Sequence, residues 1–414
     1  MGKTDDEVID VTPDVKWIGI RDYDIRTFDI VMSTEYGTTY NSYFIDAEKK
    51  TIIDVAKEKF IDIYLTKLRS VANPEELQYI IINHTEPDHT GSLRILLDLA
   101  PSATVVGSGN AIRYLQDIVN KPFKSLAVKD GDTLDLGNNK TLKFISAPNL
   151  HWPDSIFTLL VEEKILFTCD SFGAHFCSSE MFSEFSEVYT DAFKYYFDVI
   201  LKPFSRFMLK AIEKIKPLDI DFICTGHGPI HRENIGKAIE LSEKYSRQYL
   251  NSTTERDHNN ILITYVSAYG YTKKAAEYIA EGILENKGLN VEIADIENID
   301  LGELESKIVK ADAILVGSPT INQNTLLPIY KLFALINPIR DKGKLGGAFG
   351  SYGWSGEASK IIAENLRFLK LNVFERTEAF KFAPGEGPKK ESLTDFGKAF
   401  AGKFIEEYNK KERG

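Results

Sequence analysis

The chain has 414 residues, of which 43% are hydrophobic and 27% charged, so it has room for two or three folded domains and is not a disordered polymer. Its formal net charge of −11 excludes the basic surface that nucleic-acid binding requires. Three cysteines without a CxxC pair favour a reducing compartment, and the sequence shows neither a signal peptide nor an apolar run of ~20 residues, so we expect a cytoplasmic protein without a membrane partner.

Short apolar runs separated by turn residues fill the N-terminal part of the chain. The strand-like runs are VKWIGI, TYNSYFI, KTIIDVA, QYIIINH, ATVVGS, LKFISA, IFTLLV, KILFTCD and DFICTGHG. Helical periodicity appears in SLRILLDLA and NAIRYLQDIV, and we interpret the aromatic-rich segment 171–216 as mostly helical cover. Mixed strands and helices of this kind predict an α/β sandwich with sheets inside and helices outside.

The polar stretch 251–259 has no apolar periodicity and predicts a boundary between two domains, which we place at residues 1–255 and 260–414. Beyond it, strands and helices alternate. The predicted strands are ILITYVS, NVEIADI, AILVGSP, KLGGAFGSYG and VFERTEAFKFAP. Five strands that alternate with helices predict a doubly wound parallel sheet of flavodoxin-like order.

Side chains that can bind metal follow several strands of the N-terminal part. In the segment IINHTEPDHTG, residues two apart on an extended loop point to the same side and can converge on one or two cations. The candidate catalytic and metal-binding residues are His84, Glu86, Asp88, His151, Asp170 and His227. A lone strand-end histidine is more often a capping residue, but six candidates at strand ends predict a site. His89 is expected to point elsewhere and to hold a carboxylate ligand in place, and His175, His231 and His258 have no such context.

Three loops of the C-terminal part leave neighbouring strands at their carboxyl ends, where such sheets bind nucleotides. Small and hydroxyl residues let backbone N–H groups wrap a phosphate at a helix N-terminus, and an exposed Trp354 can stack on a flavin ring. The candidate cofactor-binding residues are Ser267, Ala268, Tyr269, Gly270, Tyr271 and Thr272 in the first loop, Ser318, Pro319, Thr320, Ile321 and Asn322 in the second, and Ser351, Tyr352, Gly353, Trp354, Ser355 and Gly356 in the third.

The pattern H-x-E-x-D-H, followed by strand-end His, Asp and His, resembles the metallo-β-lactamase fold, with Glu86 where the common hydrolases have histidine. Nitrogen-rich sites favour zinc, whereas mixed histidine and carboxylate sites suit iron. Together with the flavodoxin-like part, and with YDIRTF, EYGTTYNSYFI and GSPT, the chain resembles the flavodiiron proteins across essentially its whole length. The resemblance implies a metallo-β-lactamase-like αββα sandwich followed by a flavodoxin-like doubly wound five-stranded parallel sheet.

The resemblance also implies the cofactors and the chemistry. One iron would be held by His84, Glu86 and His151 and the other by Asp88 and His227, with Asp170 bridging them. FMN is favoured over FAD because there is no GxGxxG loop. The implied reaction is reduction of O2 to water, of NO to N2O, or of both. The implied partners are an external electron donor (a rubredoxin-like protein, another reductase or reduced deazaflavin) and further copies of the chain in a head-to-tail homodimer or homotetramer. Many members have a histidine where this chain reads Phe28-Asp29.

Two alternatives stay open on the sequence. The first is a zinc-dependent hydrolase of the metallo-β-lactamase fold fused to a flavodoxin-like domain of other use, against which Glu86 and the flavin loops both argue. The second is an electron-transfer flavoprotein whose N-terminal domain has lost its metal, against which the complete set of six ligands argues.

Overall fold

The computed structural model describes residues 7–28, 32–254, 259–299, 301–381 and 388–412. The chain divides into two compact units, Met1–Leu250 and Asn251–Gly414. In the described ranges, no helix is long and apolar enough to cross a membrane. His258 and Asp29, which the sequence analysis names, lie outside the described residues.

The first unit contains two sheets and two short ribbons. Its strands are β1 (Ile9–Asp10), β2 (Val15–Trp17), β3 (Ile20–Asp22), β4 (Thr27–Phe28), β5 (Met32–Ser33), β6 (Thr38–Tyr40), β7 (Tyr43–Ile45), β8 (Thr51–Ile53), β9 (Tyr79–Ile82), β10 (Thr104–Ser108), β11 (Lys124–Val128), β12 (Thr133–Gly137), β13 (Lys140–Ser146), β14 (Ile156–Leu160), β15 (Ile165–Cys169) and β16 (Phe222–Thr225). One sheet has the order β1-β2-β7-β8-β9-β10-β11 and the other β12-β13-β14-β15-β16, while β3 pairs with β6 and β4 with β5.

Helices cover the outer faces of both sheets. They are α1 (Ile61–Val71), α2 (Pro87–Thr90), α3 (Leu93–Leu99), α4 (Gly109–Val119), α5 (Glu187–Tyr196), α6 (Ser205–Ile215) and α7 (Ile235–Thr254), with a π-helical turn at Phe197–Leu201. One apolar cluster joins the two sheets through side chains such as Ile81, Val106 and Phe167. A second cluster lies under α1, α3 and α4, and a third lies under α5 and α6. These four layers confirm the predicted αββα sandwich.

The helical prediction for 171–216 is correct only from Glu187 onward. The backbone turns sharply after β15, where Cys169 and Phe172 both have positive φ, and residues 171–186 wrap around the strand ends without a helix. Ser186 then starts α5, because its side chain accepts a hydrogen bond from the Tyr189 N–H. At the other end of the unit, α7 extends to Thr254, into the polar stretch where the sequence places the domain boundary.

The second unit has one sheet with helices on both faces. Its elements are β17 (Asn260–Tyr265), α8 (Tyr271–Leu284), β18 (Asn290–Asp295), α9 (Leu301–Lys310), β19 (Ala313–Gly317), α10 (Leu327–Leu335), β20 (Leu345–Tyr352), α11 (Glu357–Phe368), β21 (Asn372–Val373), β22 (Glu378–Lys381) and α12 (Pro388–Glu412). The strand order is β18-β17-β19-β20-β21, all parallel, and β22 also pairs with β20.

The second unit therefore confirms a flavodoxin-like sheet with five strand positions, and it corrects one detail. The fifth predicted strand is two short strands, β21 and β22, separated by residues 374–377. Two apolar clusters, one on each face of the sheet, account for its doubly wound form.

Candidate functional site

Four strand ends of the first unit bring the predicted metal-binding residues together. His84 and Glu86 follow β9, and Asp88 lies on the short helix α2. His151 lies on the connection between β13 and β14, while Asp170 and His227 follow β15 and β16. The β15–β16 pairing shifts register between Phe167 and Cys169, an irregularity of the kind that re-aims the side chains that follow.

The first half of the site consists of His84, Glu86 and His151. The Nε2 atom of His151 lies 3.0 Å from Oε2 of Glu86, and the Nε2 atom of His84 lies 3.2 Å from the same oxygen. Both nitrogens also face Oδ2 of Asp170, at 3.3 Å from His151 and 3.5 Å from His84. The four ligand atoms lie within 4.8 Å of one another.

The second half of the site consists of Asp88, His89 and His227. The Nε2 atom of His227 lies 3.0 Å from Oδ2 of Asp88 and 3.5 Å from Oδ1 of Asp170. His89, which was expected to point elsewhere, directs Nε2 to within 3.0 Å of Asp170 Oδ1 and 3.4 Å of Asp88 Oδ2. The structure thus adds His89 to the six predicted residues, and Asp170 offers one carboxylate oxygen to each half.

In two of the imidazole rings, a hydrogen bond at Nδ1 determines that Nε2 is the nitrogen that faces the site. The carbonyl oxygen of Thr39 lies 2.6 Å from Nδ1 of His227, so this nitrogen carries the proton. Asp154 accepts a hydrogen bond from Nδ1 of His84 at 3.3 Å. In both rings Nε2 is therefore the nitrogen directed into the site, where it can bind a metal once it carries no proton.

The buried carboxylates and imidazoles shift each other's pKa values strongly. Burial disfavours the charged form of His84, but its hydrogen bonds with Asp154 and Glu86 raise its pKa to about 10. The pKa of His151 is also raised to about 10, against burial, by its contacts with Asp170 and Glu86. Burial alone would raise the pKa of Asp170, but the charge of His89 and the hydrogen bond from His151 hold it well below its usual range. The carboxylates of this compact cluster therefore stay ionised, and their negative charge favours the binding of cations.

The cluster fits two divalent cations. Oδ1 of Asp88 is buried and has no hydrogen-bond partner among the described residues, although a buried carboxylate oxygen normally has one. Donor atoms about 3 Å apart match the spacing around one cation with bonds of about 2.1 Å. The carboxylates Glu86, Asp88, Asp154 and Asp170 carry four formal negative charges, which two dications would neutralise. Mixed imidazole and carboxylate donors suit iron.

Aromatic side chains close the side of the site next to His227. The Tyr196 hydroxyl donates a hydrogen bond to Oδ1 of Asp170 at 3.2 Å. His175 is buried with its ring centroid 5.0 Å from that of His227 and 4.4 Å from that of Phe28. His175 had no context in the sequence, and the structure places it beside the site, whereas it places His231 away from it, between Ser183 and Phe172.

The three predicted cofactor loops also come together, at the carboxyl edge of the second unit's sheet. Thr272 Oγ1 and Ser351 Oγ are 2.8 Å apart, which joins the first loop to the third. The N–H of Thr320 donates to the Ser351 carbonyl at 2.8 Å, and the N–H of Ala358 donates to Thr320 Oγ1 at 3.2 Å, which joins the second loop to the third. Residues 267–272, 318–322 and 351–356 therefore lie next to one another at this edge of the sheet.

The residues at this edge of the sheet suit a flavin nucleotide. Gly270, at the N-cap of α8, has φ +79° and no side-chain cap. The amide of Lys273 donates to Ser267 Oγ at 3.4 Å, and those of Tyr271 and Thr272 are left for an anion. A Cβ atom at Gly270 would meet no other atom within 4 Å, so the space in front of the helix is clear. Trp354 and Tyr269 are 76% and 79% exposed beside it and present aromatic faces on which a ring can stack.

Sequence reasoning missed two residues of the metal site, Asp154 and Tyr196, and gave His89 a supporting role instead of a direct one. Asp154 follows His151 by three residues across a Pro, so the tetrapeptide His-Trp-Pro-Asp was a usable signal. Tyr196 lies in an aromatic-rich helix where nothing in the sequence separates it from its neighbours. His89 and Tyr196 lie on helices, and the sequence alone does not show which way their side chains point.

Comparisons with known proteins agree with this geometry. Residues 38–228 match the model of the ODP family beta lactamase, and residues 263–396 match the flavodoxin model. A flavo-diiron protein of Clostridium acetobutylicum is 43% identical over 93% of this chain and 96% of its own length. The crystal structure of the flavodiiron protein from Giardia intestinalis aligns with a TM-score of 0.63 and 30% identity over 98% of each chain. The rubredoxin oxygen:oxidoreductase of the anaerobe Desulfovibrio gigas aligns with a TM-score of 0.66 and 30% identity over 97% of this chain and 100% of its own.

Proposed function

This chain belongs to the flavodiiron protein family and is a di-iron and FMN oxidoreductase, and we propose that it reduces O2 to water, NO to N2O, or both, with electrons from an external donor. The observation that carries the proposal is the pair of donor sets joined by Asp170, in the same chain as a domain that matches the flavodoxin model. A zinc hydrolase is not favoured, because its common form has histidine where Glu86 stands and it makes no use of a flavin.

The electron count supports this reaction. When bound, two ferrous ions and reduced FMN supply four electrons, which together with four protons convert one O2 to two waters. Two NO molecules require two electrons and two protons to give N2O and one water. The protein's contribution is to hold both cofactors, to exclude bulk water and to place protons near the reacting gas.

Residues around the metals perform those tasks. His84, His89, His227, Asp88 and Asp170 are all buried, so bulk water is largely kept from their contacts. Burial and the neighbouring charge of Asp170 raise the pKa of Tyr196 well above its usual range. The Tyr196 hydroxyl therefore keeps its proton and donates a hydrogen bond to Asp170 Oδ1. This places a proton at the edge of the site.

We further propose that the six residues predicted from sequence, together with His89, are the iron ligands, and that residues 267–272, 318–322 and 351–356 bind FMN. The electron donor is proposed to be a separate rubredoxin-like protein, another reductase or reduced deazaflavin. A head-to-tail homodimer or a tetramer built from it is proposed as the working assembly. Light scattering would measure its mass against the 46.7 kDa of one chain.

The first test is the iron, zinc and FMN content of anaerobically purified protein. Two irons and one FMN per chain support the proposal, and consumption of O2 and NO is then measured with a chemical reductant and each donor class in turn. Zinc in place of iron, or iron and flavin without consumption of either gas, would contradict it.

A further inference from the structure

Asp154 is a buried carboxylate that ligates nothing in the arrangement described above. Both it and His84 are fully buried. Among the described residues, all hydrogen bonds to its side chain converge on one oxygen, Oδ2, which accepts from the Thr85 N–H at 2.7 Å, from Thr85 Oγ1 at 2.9 Å and from His84 Nδ1 at 3.3 Å. Its other oxygen, Oδ1, is buried without a partner among the described residues. These hydrogen bonds hold the negative charge of Asp154 next to His84.

The connection that carries Asp154 also carries the ligand candidate His151. Ser155 Oγ donates to the carbonyl oxygen of Leu150 at 2.8 Å and lies 3.1 Å from that of Trp152, which ties the turn together. The Trp152 ring meets the His84 ring edge to face, with centroids 5.1 Å apart. The His84 ring is thus held by Trp152 on one side and by Asp154 at Nδ1, and it cannot rotate without losing both contacts.

The other imidazoles of the site are held differently. His227 donates from Nδ1 to a backbone carbonyl, that of Thr39, at 2.6 Å. Nδ1 of His89 is buried and has no hydrogen-bond partner among the described residues. A carboxylate that accepts the outer N–H of a ligating imidazole increases the basicity of the ligand more than a neutral carbonyl does. Of these three histidines, His84 alone has a carboxylate at Nδ1, so the two halves of the site are not equivalent.

We propose that Asp154 is a positioning residue that fixes His84 with its proton on Nδ1 and strengthens it as a ligand, so that the half formed by His84, Glu86 and His151 binds its metal more tightly than the other half. The inference rests on the proposed ligand set. Two roles of Asp154 can be separated, because the Thr85 N–H demands an acceptor: Asp154→Asn can keep its oxygen in the Oδ2 position and lose only the charge, whereas Asp154→Ala loses both.

The test uses the full-length protein, stripped of metal and titrated with Co²⁺ alone. For the wild type we expect two binding steps of unequal affinity. In Asp154→Ala the tighter step should weaken by about 10–100-fold, the usual effect of removing such a partner, and in Asp154→Asn by a smaller factor. The weaker step should change less than about threefold. Asp54→Asn is the matched control, since Asp54 is also buried but accepts its hydrogen bonds from Asn83 N and Nδ2 rather than from a histidine.

A second readout separates positioning from a general loss of structure. In the Co²⁺ protein each ligating imidazole has an exchangeable ring N–H with a shifted proton resonance. The His84 N–H should exchange slowly in the wild type, faster in Asp154→Asn and too fast to observe in Asp154→Ala, while the His227 N–H stays unchanged. If Asp154→Ala does not fold, the weakening and faster exchange expected for Asp154→Asn carry the test.

Failure of this inference is distinct from failure of the proposed function. A wild type that does not bind two metal ions would contradict the ligand set itself. A wild type with two ions and an Asp154→Asn variant that keeps both affinities and the slow N–H exchange would overturn the role of Asp154. Equal weakening of both steps, matched by Asp54→Asn, would overturn it as well, because the effect would then be structural.

Discussion

His89 Nε2 lies 3.0 Å from Oδ1 of Asp170, although His89 directly follows the ligand candidate Asp88. On an extended loop, neighbouring side chains point to opposite sides. Here the chain has already begun the helix Pro87–Thr90, where successive side chains diverge by about 100° instead of about 180°. Both Asp88 and His89 can therefore face the same cation, and the early start of a helix changes the number of ligands.

The substitution His89→Ala should weaken one metal position and leave the other intact. His89 contributes to the half of the site that contains Asp88 and His227. Loss of a direct ligand should lower the metal affinity by more than the 10–100-fold that is typical when an outer hydrogen-bond partner is removed. Metal analysis after gel filtration should find about one iron per chain in place of two. Retention of both irons at wild-type affinity would show that His89 only positions a carboxylate, as the sequence suggested.

The substitution Asp170→Asn should remove metal from both positions. Its carboxylate offers Oδ2 to His84 and His151 and Oδ1 to His89 and His227, so neither half keeps its donors. Gas consumption should fall by at least about 100-fold, more than the loss of an outer partner causes. Asp135→Asn is the control, because Asp135 is an exposed carboxylate of the same unit. A metal-free Asp170→Asn protein that still consumed O2 or NO would contradict the site assignment.

The sequence predicted the metal site better than it predicted the elements around it. His84, Glu86, Asp88, His151, Asp170 and His227 each follow an apolar strand, and strand ends are visible in the sequence. Strand β11 was missed because four of its five residues are exposed, so no apolar alternation marks it. Asp154 was missed for a different reason. It reaches His84, 70 positions earlier in the chain, and only the packed sheets bring such distant residues together.

The substitution Gly270→Ala should destabilise the second unit and weaken FMN binding. Gly270 has φ +79°, which costs a residue with a Cβ atom about 1–2 kcal/mol, while the space around it is open, so strain is the whole effect. A rise in the Kd for FMN of about 5- to 30-fold corresponds to that energy. Gly402→Ala is the control. Gly402 is an exposed glycine of helix α12 without positive φ, where alanine should stabilise by up to about 1 kcal/mol.

The substitution Trp354→Ala should weaken FMN binding without unfolding the protein. Trp354 is 76% exposed, so its removal should change the free energy of unfolding by less than about 0.5 kcal/mol. Loss of an aromatic contact of about 0.5–1.5 kcal/mol should raise the Kd for FMN by about 2- to 10-fold, measured by quenching of flavin fluorescence. Phe368→Ala is the control, because Phe368 is 77% exposed at the far end of helix α11. Equal effects of the two substitutions would contradict stacking on Trp354.

His231 should make the first unit sensitive to acid, independently of the metal site. Its Nε2 donates to the carbonyl oxygen of Phe172 at 2.8 Å, so Nδ1 is the acceptor for the Ser183 hydroxyl at 2.9 Å. Burial, opposed in part by the bond to Phe172, lowers the pKa of His231 to about 4, from about 6.5 in an unfolded chain. The folded form therefore holds a neutral ring that has no place for a second proton.

The sign of the pH dependence follows from these two pKa values. Between pH 6.5 and 4 the unfolded chain binds a proton at His231 and the folded chain does not, so stability falls as the pH falls through this window. The full shift corresponds to at most about 3 kcal/mol. Denaturant unfolding of the metal-free protein at pH 7 and pH 4.5 measures the loss, and in His231→Asn the part due to this residue should disappear while the remaining titrating groups contribute as before. An unchanged difference between the two pH values in His231→Asn would show that the neutral, buried state of His231 is not what makes the unit acid-sensitive.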